Sequence, residues 1–289
     1  MSYAIVTDSS ANLPDALIER YSVDVLSLVF QVEGESFLSY KKGEINDLQR
    51  FFAMMREKKD IKTSCIEAGP CKALCEELLK DGKDLLFIGF SSGLSATYQV
   101  GRMVLEELKP LYPERKIFHV DTLAAALGQG LLVLEAARQR EAGKGIEEVH
   151  AWLEGNKLKL CHWFTVDDLF FLKRGGRVSA ATAVLGSMLG IKPILHVSDE
   201  GKLVNVSKVR GRKASLDALA EALFAHIVEP EGQTIGISHG DSLADAEYLR
   251  DRLQEKLSFK DCIIHDLDPV IGAHSGPGTI ALFFLGDLR

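Results

Sequence analysis

LLFIGFSSGLSATYQ, residues 85–99, decides how this chain folds. Residues 85–90 form an apolar run without polar alternation, the pattern of a strand covered on both faces. Residues 89–97 are rich in small side chains, and a helical period runs from about 95 to 108. Strand, small-residue turn and helix make one unit of a parallel sheet, since parallel neighbours require a crossover connection.

The same unit recurs on either side. Upstream, residues 3–7 and 23–30 read as strands flanking a helix that Pro14 opens at its first turn. Helices are expected at 47–56 and 71–80, separated by a loop holding residues 62–70. Downstream, a strand at 116–120 leads into a helix at about 123–140. This half is therefore expected to be α/β with a parallel sheet. The sequence AGKG at 142–145 breaks that helix, and a further helix reaches about Lys157.

Beyond it the pattern changes. Residues 191–197 and 202–209 read as an antiparallel hairpin turning through Ser198-Asp199-Glu200-Gly201. Helices at 214–228 and 242–257 then interleave with strands at 234–238, 262–265 and 279–285. The expected architecture is an N-terminal α/β domain, residues 1–158, and a C-terminal α+β domain, residues 159–289. A ligand site is expected between them, because clefts between domains are where ligands usually sit.

Composition excludes several classes. The chain has 289 residues, 46% of them apolar, and a net charge of -7 from 34 basic and 41 acidic side chains. At this size about three quarters of the extended-chain surface is buried on folding, so no disulfide or metal staple is required. The acidic balance argues against a general nucleic-acid or anionic-membrane binder. No apolar run reaches the ~18 residues of a spanning helix, and the first ten residues lack the basic and apolar regions of a signal peptide. Five cysteines, an odd number, suit reduced thiols in a cytoplasm. Cys65, Cys71 and Cys75 lack both a CxxC knuckle and a neighbouring histidine, so no metal site is expected.

Four small-residue segments are candidates for chemistry: Thr63-Ser64, GFSSGLSAT (89–97), KRGGR (173–177) and GAHSGPG (272–278). Each is expected at a loop edge, and any one alone reads as a turn, since glycine supplies positive φ and serine caps helices. Ser91, Ser92 and Ser95 also sit where a helix N-terminus offers free N–H groups to an anion, so a phosphorylated small molecule is one possible ligand there. GFSSG further matches the G-x-S-x-G nucleophile elbow. A serine hydrolase using Ser91 with His274, and Asp241 or Asp266 between them, is the alternative reading, although no HGGG-type oxyanion segment accompanies it. KVRGRK (208–213) would place Lys208, Arg210 and Arg212 on one strand face. That is either a solvated edge or a basic docking surface.

In order along the chain, AIVTDSSANLP, Thr63-Ser64, SSGLSATYQ, DTLAAALGQG, DLFFLKRGGRVSAA, LGIKPIL, KVRGRK and PVIGAHSGPG resemble the signature blocks of the DegV family. That resemblance implies a two-domain α/β protein holding a long-chain fatty acid between its domains. It also implies no cofactor, no catalysis by the chain alone, and service to a separate ATP-dependent fatty acid kinase that makes the acyl phosphate. By the same resemblance Thr63, Ser95 and His274 would hold the carboxylate, with Ser64 and Arg177 beside them, and Arg210 would dock the kinase. The chain departs from the pattern at Cys65-Ile66-Glu67, where the family usually runs Gln-Pro-Ser or Gln-Pro-Thr. Ala96 and Asp268 replace common glycines, and Ala126 a common serine.

Overall fold

A computed structural model describes residues 3–178, 190–287 and 289. The end of the DLFFLKRGGRVSAA block, from Ser179, and the first residue of LGIKPIL lie outside them. Strands β1 (Tyr3–Asp8), β2 (Val23–Leu26), β6 (Asp84–Gly89) and β7 (Ile117–Asp121) form a parallel sheet in the order β2-β1-β6-β7. Every residue of β1 and β6 is buried, as unbroken apolar runs require.

A second, mixed sheet contains β8 (Leu160–Thr165), β9 (Ile191–Val197), β10 (Leu203–Arg210), β11 (Thr234–His239), β12 (Asp261–Asp266) and β13 (Ile280–Leu285), in the order β10-β9-β8-β13-β11-β12. Only the β11–β12 pair is parallel. Strand β13 shows how its two faces divide. Ile280, Leu282 and Phe284 pack under the helices Arg212–His226 and Leu243–Gln254, while Ala281 and Phe283 belong to the opposite core.

The helix Leu127–Glu141 packs against β1 and β6 of the first sheet and β8, β11 and β13 of the second. It lies between the sheets, which is why its buried positions surround the helix and do not form one stripe. It starts four residues later than the sequence suggests. Leu123 and Ala126 both adopt φ of 51°, and such left-handed backbone cannot continue a helix.

Several expectations are corrected. The run at 23–30 is two strands: after β2 the chain leaves the sheet at Ser27-Leu28 and enters β3 (Val29–Val32), in a separate antiparallel sheet of order β4-β3-β5. Strand β4 is Glu35–Leu38, and β5, Ile61–Ser64, occupies the start of the expected 62–70 loop. The crossing is held by backbone-to-hydroxyl bonds, Leu28 N–H to Ser9 Oγ at 3.0 Å and Tyr40 N–H to Ser27 Oγ at 2.9 Å. Strand β8 was not expected; its LCHWFT sequence carries no polar alternation. Part of GAHSGPG is not loop, because Gly272 to Ser275 end a helix, Pro269–Ser275. Arg212 does not share a strand face with Lys208 and Arg210, since Gly211, at φ 97°, ends β10 and Arg212 opens the next helix.

Candidate functional site

A cavity of about 250 Å³ lies between the two larger sheets and beneath the small one. Strand β5 and the turn after β6 supply one side of its wall. Ala125 and Ala126 close it toward the central helix, and His162, Phe164, Ala281 and Phe283 form its floor on β8 and β13. Most of the lining is apolar, and the polar side chains Thr63, Ser64, Ser95, Arg177 and His274 all face it.

Thr63 and His274 are in direct contact, and Arg177 and Ser95 are held by neighbouring groups. Thr63 Oγ1 lies 2.8 Å from His274 Nε2. Burial and the neighbouring cations Arg177 and Arg174 push the His274 pKa down to about 4, so its imidazole is neutral at pH 7. Arg177 follows the short helix Phe170–Arg174, donating from Nε to the Leu94 carbonyl at 3.1 Å and from Nη1 to the Gly175 carbonyl. Both bonds go to neutral oxygens. Arg177 has no carboxylate partner among the described residues, and desolvation lowers its pKa. The Leu94 bond brings the guanidinium beside Ser95, whose hydroxyl meets Thr97 Oγ1 at 2.9 Å and accepts from the Thr97 N–H at 3.2 Å.

Glycine is required at one point of this chain of contacts. A Cβ on Gly175 would overlap the His274 ring at Nδ1, so the first glycine of KRGGR lets the backbone press against the histidine. Gly176, at φ 71°, then turns the chain so that Arg177 points back.

Other signature blocks turn out to be architecture. The buried Asp8 carboxylate accepts from Phe90 N at 2.9 Å, Ser10 N at 3.1 Å and Gln129 Nε2 at 3.1 Å, tying together the first loop, the GFSSG turn and the central helix. Ser91 is fully buried and donates to the Gly201 carbonyl at 2.8 Å, and a Cβ on Gly93 would lie 2.6 Å from the Glu200 carbonyl. GFSSG therefore docks against the β9–β10 turn. The components of the hydrolase reading are engaged elsewhere: His274 with Thr63, Asp241 with Arg56, and Asp266 with His239.

Among the described residues, no group of three or more His, Cys, Asp or Glu is placed to hold a metal ion, and no helix is long and apolar enough to cross a membrane. No disulfide joins any of the five cysteines; Cys71 and Cys75 are buried in the helix Ala68–Lys80, and Cys65 faces the cavity. Arg210 lies away from the polar group, exposed at the end of edge strand β10. Sequence reasoning missed the cavity floor. His162 there donates from Nδ1 to the Leu160 carbonyl at 3.1 Å and accepts from Ala125 N at 3.3 Å, held neutral by burial, which drives its pKa well down. Nothing in the apolar run of β13 distinguishes a cavity-facing Ala281 from a packed Leu282.

The family model "Uncharacterised protein, DegV family COG1307" matches residues 2–287. A DegV domain-containing protein of Clostridium perfringens is 43% identical over 99% of this chain and 98% of its own. Among solved structures, "Fatty Acid Binding of a DegV family Protein from Thermus thermophilus" is 30% identical with a TM-score of 0.89, covering 99% of this chain and 100% of that one. "Crystal Structure of DegV, a fatty acid binding protein from Bacillus subtilis" is 27% identical with a TM-score of 0.83 and the same coverage.

Proposed function

The chain belongs to the DegV family, and from that premise we propose that it binds one long-chain fatty acid. The carboxylate sits among Thr63, Ser95, His274 and Arg177, with Ser64 at its edge, and the tail fills the apolar cavity. The observation that carries this reading is the Arg177 guanidinium, half-buried at the cavity wall and, among the described residues, bonded only to carbonyls. A desolvated cation without a counterion favours an anion beside it. The hydroxyl of Thr63 and the neutral His274 satisfy further lone pairs without adding charge.

Burying a sixteen-carbon tail contributes on the order of 11 kcal/mol gross at about 0.8 kcal/mol per methylene, before ordering costs. The apolar wall supplies affinity and the polar end supplies orientation. Fatty-acid binding by relatives 27–30% identical over the whole chain supports the assignment.

In this reading the protein is a carrier, acting in the cytoplasm without a cofactor and leaving phosphorylation of the carboxylate to a separate ATP-dependent kinase. Arg210 docks that kinase. The boundary stays near residue 158, supported by the separation of the sheets: the strands of the first sheet end at Asp121 and those of the mixed sheet begin at Leu160.

Native mass spectrometry after mild purification tests the function. A copurifying mass of a C14 to C18 fatty acid, or its uptake by delipidated protein, is expected. Delipidated, folded protein that takes up no such acid refutes the assignment.

A further inference from the structure

Asp268 immediately precedes the helix that carries His274 and caps it. Its Oδ1 accepts from Ile271 N at 2.9 Å and its Oδ2 from Val270 N at 3.4 Å. The same Oδ2 accepts a short hydrogen bond from Ser39 Oγ, on the residue that follows β4. At the other end of this helix, His274 meets Thr63 on β5. The helix and the small sheet are thus joined at two points, one at each end of the helix.

The spans agree. Asp268 and His274 are six residues apart, about 9 Å along a helix axis at 1.5 Å per residue. Strands β4 and β5 flank β3, so they stand two strand spacings apart, roughly 10 Å. The helix therefore crosses the strands, and the two contacts tie its two ends to opposite sides of the small sheet. Ser39 and Asp268 are both buried, so water does not compete for their bond. Asn46 further fixes this point, donating to the Ser39 carbonyl at 2.7 Å.

We infer that Ser39 and Asp268 are positioning residues for the head-group site, setting the separation of Thr63 and His274 so that one carboxylate reaches both. The inference rests on the fatty-acid reading above. A carboxylate entering between Thr63 and His274 opens that contact, and the Ser39–Asp268 contact stays closed as the fulcrum.

Three variants test this in the full-length protein. Ser39→Ala removes the sheet-side hydroxyl and leaves the helix cap intact, Ser39→Thr returns a hydroxyl, and Asp268→Asn keeps a cap acceptor without the charge. Each is assayed for palmitate affinity by calorimetry on delipidated protein, and for the His274 imidazole titration by NMR on ligand-free protein. Ser39→Ala is expected to weaken palmitate binding about three- to tenfold, the size of one net hydrogen bond. It should also move the His274 titration upward from about 4, with Ser39→Thr restoring both. Lower thermal stability with unchanged affinity and unchanged His274 titration overturns the inference, because the pair is then a structural tie alone. Wild-type protein that takes up no palmitate refutes the fatty-acid reading separately. The His274 titration then still decides whether Ser39 positions that ring.

Discussion

Thr63 Oγ1 and His274 Nε2 lie 2.8 Å apart across 211 residues of sequence. One neutral side chain from the small sheet and one from a short helix thus face each other beside the Arg177 cation, which has no carboxylate partner among the described residues. If they share a ligand carboxylate, Thr63→Val, which keeps the shape and removes the hydroxyl, weakens fatty-acid binding by about 1 to 3 kcal/mol. Calorimetry with palmitate measures this directly, and unchanged affinity removes Thr63 from the carboxylate contact.

The pH dependence of stability contains two opposed contributions. The folded-state pKa of His274 falls from 6.5 to about 4 through burial and nearby arginines. The unfolded chain therefore binds more protons between those values, and this residue's contribution to stability is lost as pH falls through that window, up to about 3 kcal/mol. Asp8 behaves in the opposite sense. Burial raises its pKa from 3.8 to about 6, against the hydrogen bonds it accepts. The folded state then holds its proton more tightly, and stability falls as pH rises from 3.8 toward 6, also by about 3 kcal/mol. Urea unfolding from pH 4 to 7 should show the two cancelling in part. Relative to wild type, Asp8→Asn is expected to steepen the acid-side loss and His274→Gln to reduce or reverse it. Parallel profiles for all three proteins would contradict both assignments.

The parallel sheet was legible because its strands are buried on both faces and read as unbroken apolar runs, residues 85–90 most clearly. Where such a run exceeds one strand, the sequence is silent about where it bends. Residues 23–30 divide between two sheets at Ser27-Leu28, where Leu28 N–H donates to Ser9 Oγ and Ser27 Oγ accepts from Tyr40 N–H, two partners distant in sequence. Thr63, Ser95, Arg177 and His274 were found through motif resemblance, and all four face one cavity. Their coming together depends on contacts that no local pattern encodes, such as Arg177 Nε on the Leu94 carbonyl. The cavity itself was invisible, because Ala281 and Phe283 are apolar whether they face a lipid or a packed core. G-x-S-x-G illustrates the reverse case, a motif whose small residues serve the docking of one loop on another.

Gly175 offers a test that changes no polar group. A methyl there overlaps the His274 ring, so Gly175→Ala must displace the imidazole or the turn that carries Arg177. Palmitate affinity is expected to fall at least tenfold, while overpacking costs about 1 to 3 kcal/mol of stability. Gly143, which has φ of 88° and open space around it, is the control: Gly143→Ala strains a distant turn and leaves affinity intact. Equal affinity in the two variants would mean that the Gly175–His274 contact has no part in ligand binding.

Ser91→Ala separates architecture from catalysis. Removing the hydroxyl leaves the buried Gly201 carbonyl without its donor, a loss of about 1 to 3 kcal/mol. Thermal unfolding should show that loss while fatty-acid binding stays unchanged. The wild-type serine should also resist a fluorophosphonate, since its hydroxyl is buried and committed to a carbonyl. Labelling at Ser91, or ester turnover abolished by the substitution, would restore the hydrolase reading.

If a kinase takes the bound carboxylate, as proposed, Arg210 is where its docking is tested. Strand β10 ends the mixed sheet, and its register slips by one residue between Asn205 and Ser207. Before the slip, Leu203 and Asn205 pair with Val197 and Leu195; after it, Lys208 and Arg210 pair with Pro193 and Ile191. Positions 191, 193, 195 and 197 share one face by the two-residue period of a strand, and Val197 and Leu203 line the cavity. The bulge thus turns both basic side chains to the face that carries the cavity. Neither has an ion-pair partner among the described residues, whereas Arg212 beyond them is neutralised by Asp245 and Asp167. Exposed cations on a docking face act on partner encounter and its salt dependence more than on stability. Lys208→Ala and Arg210→Ala are therefore expected to leave palmitate affinity within about 0.5 kcal/mol of wild type. Both should slow kinase-dependent acyl-phosphate formation, most strongly at low ionic strength, as followed by ATP consumption with saturating fatty acid. Loss of lipid binding in step with phosphorylation would place these residues in the ligand site and rule out a docking role.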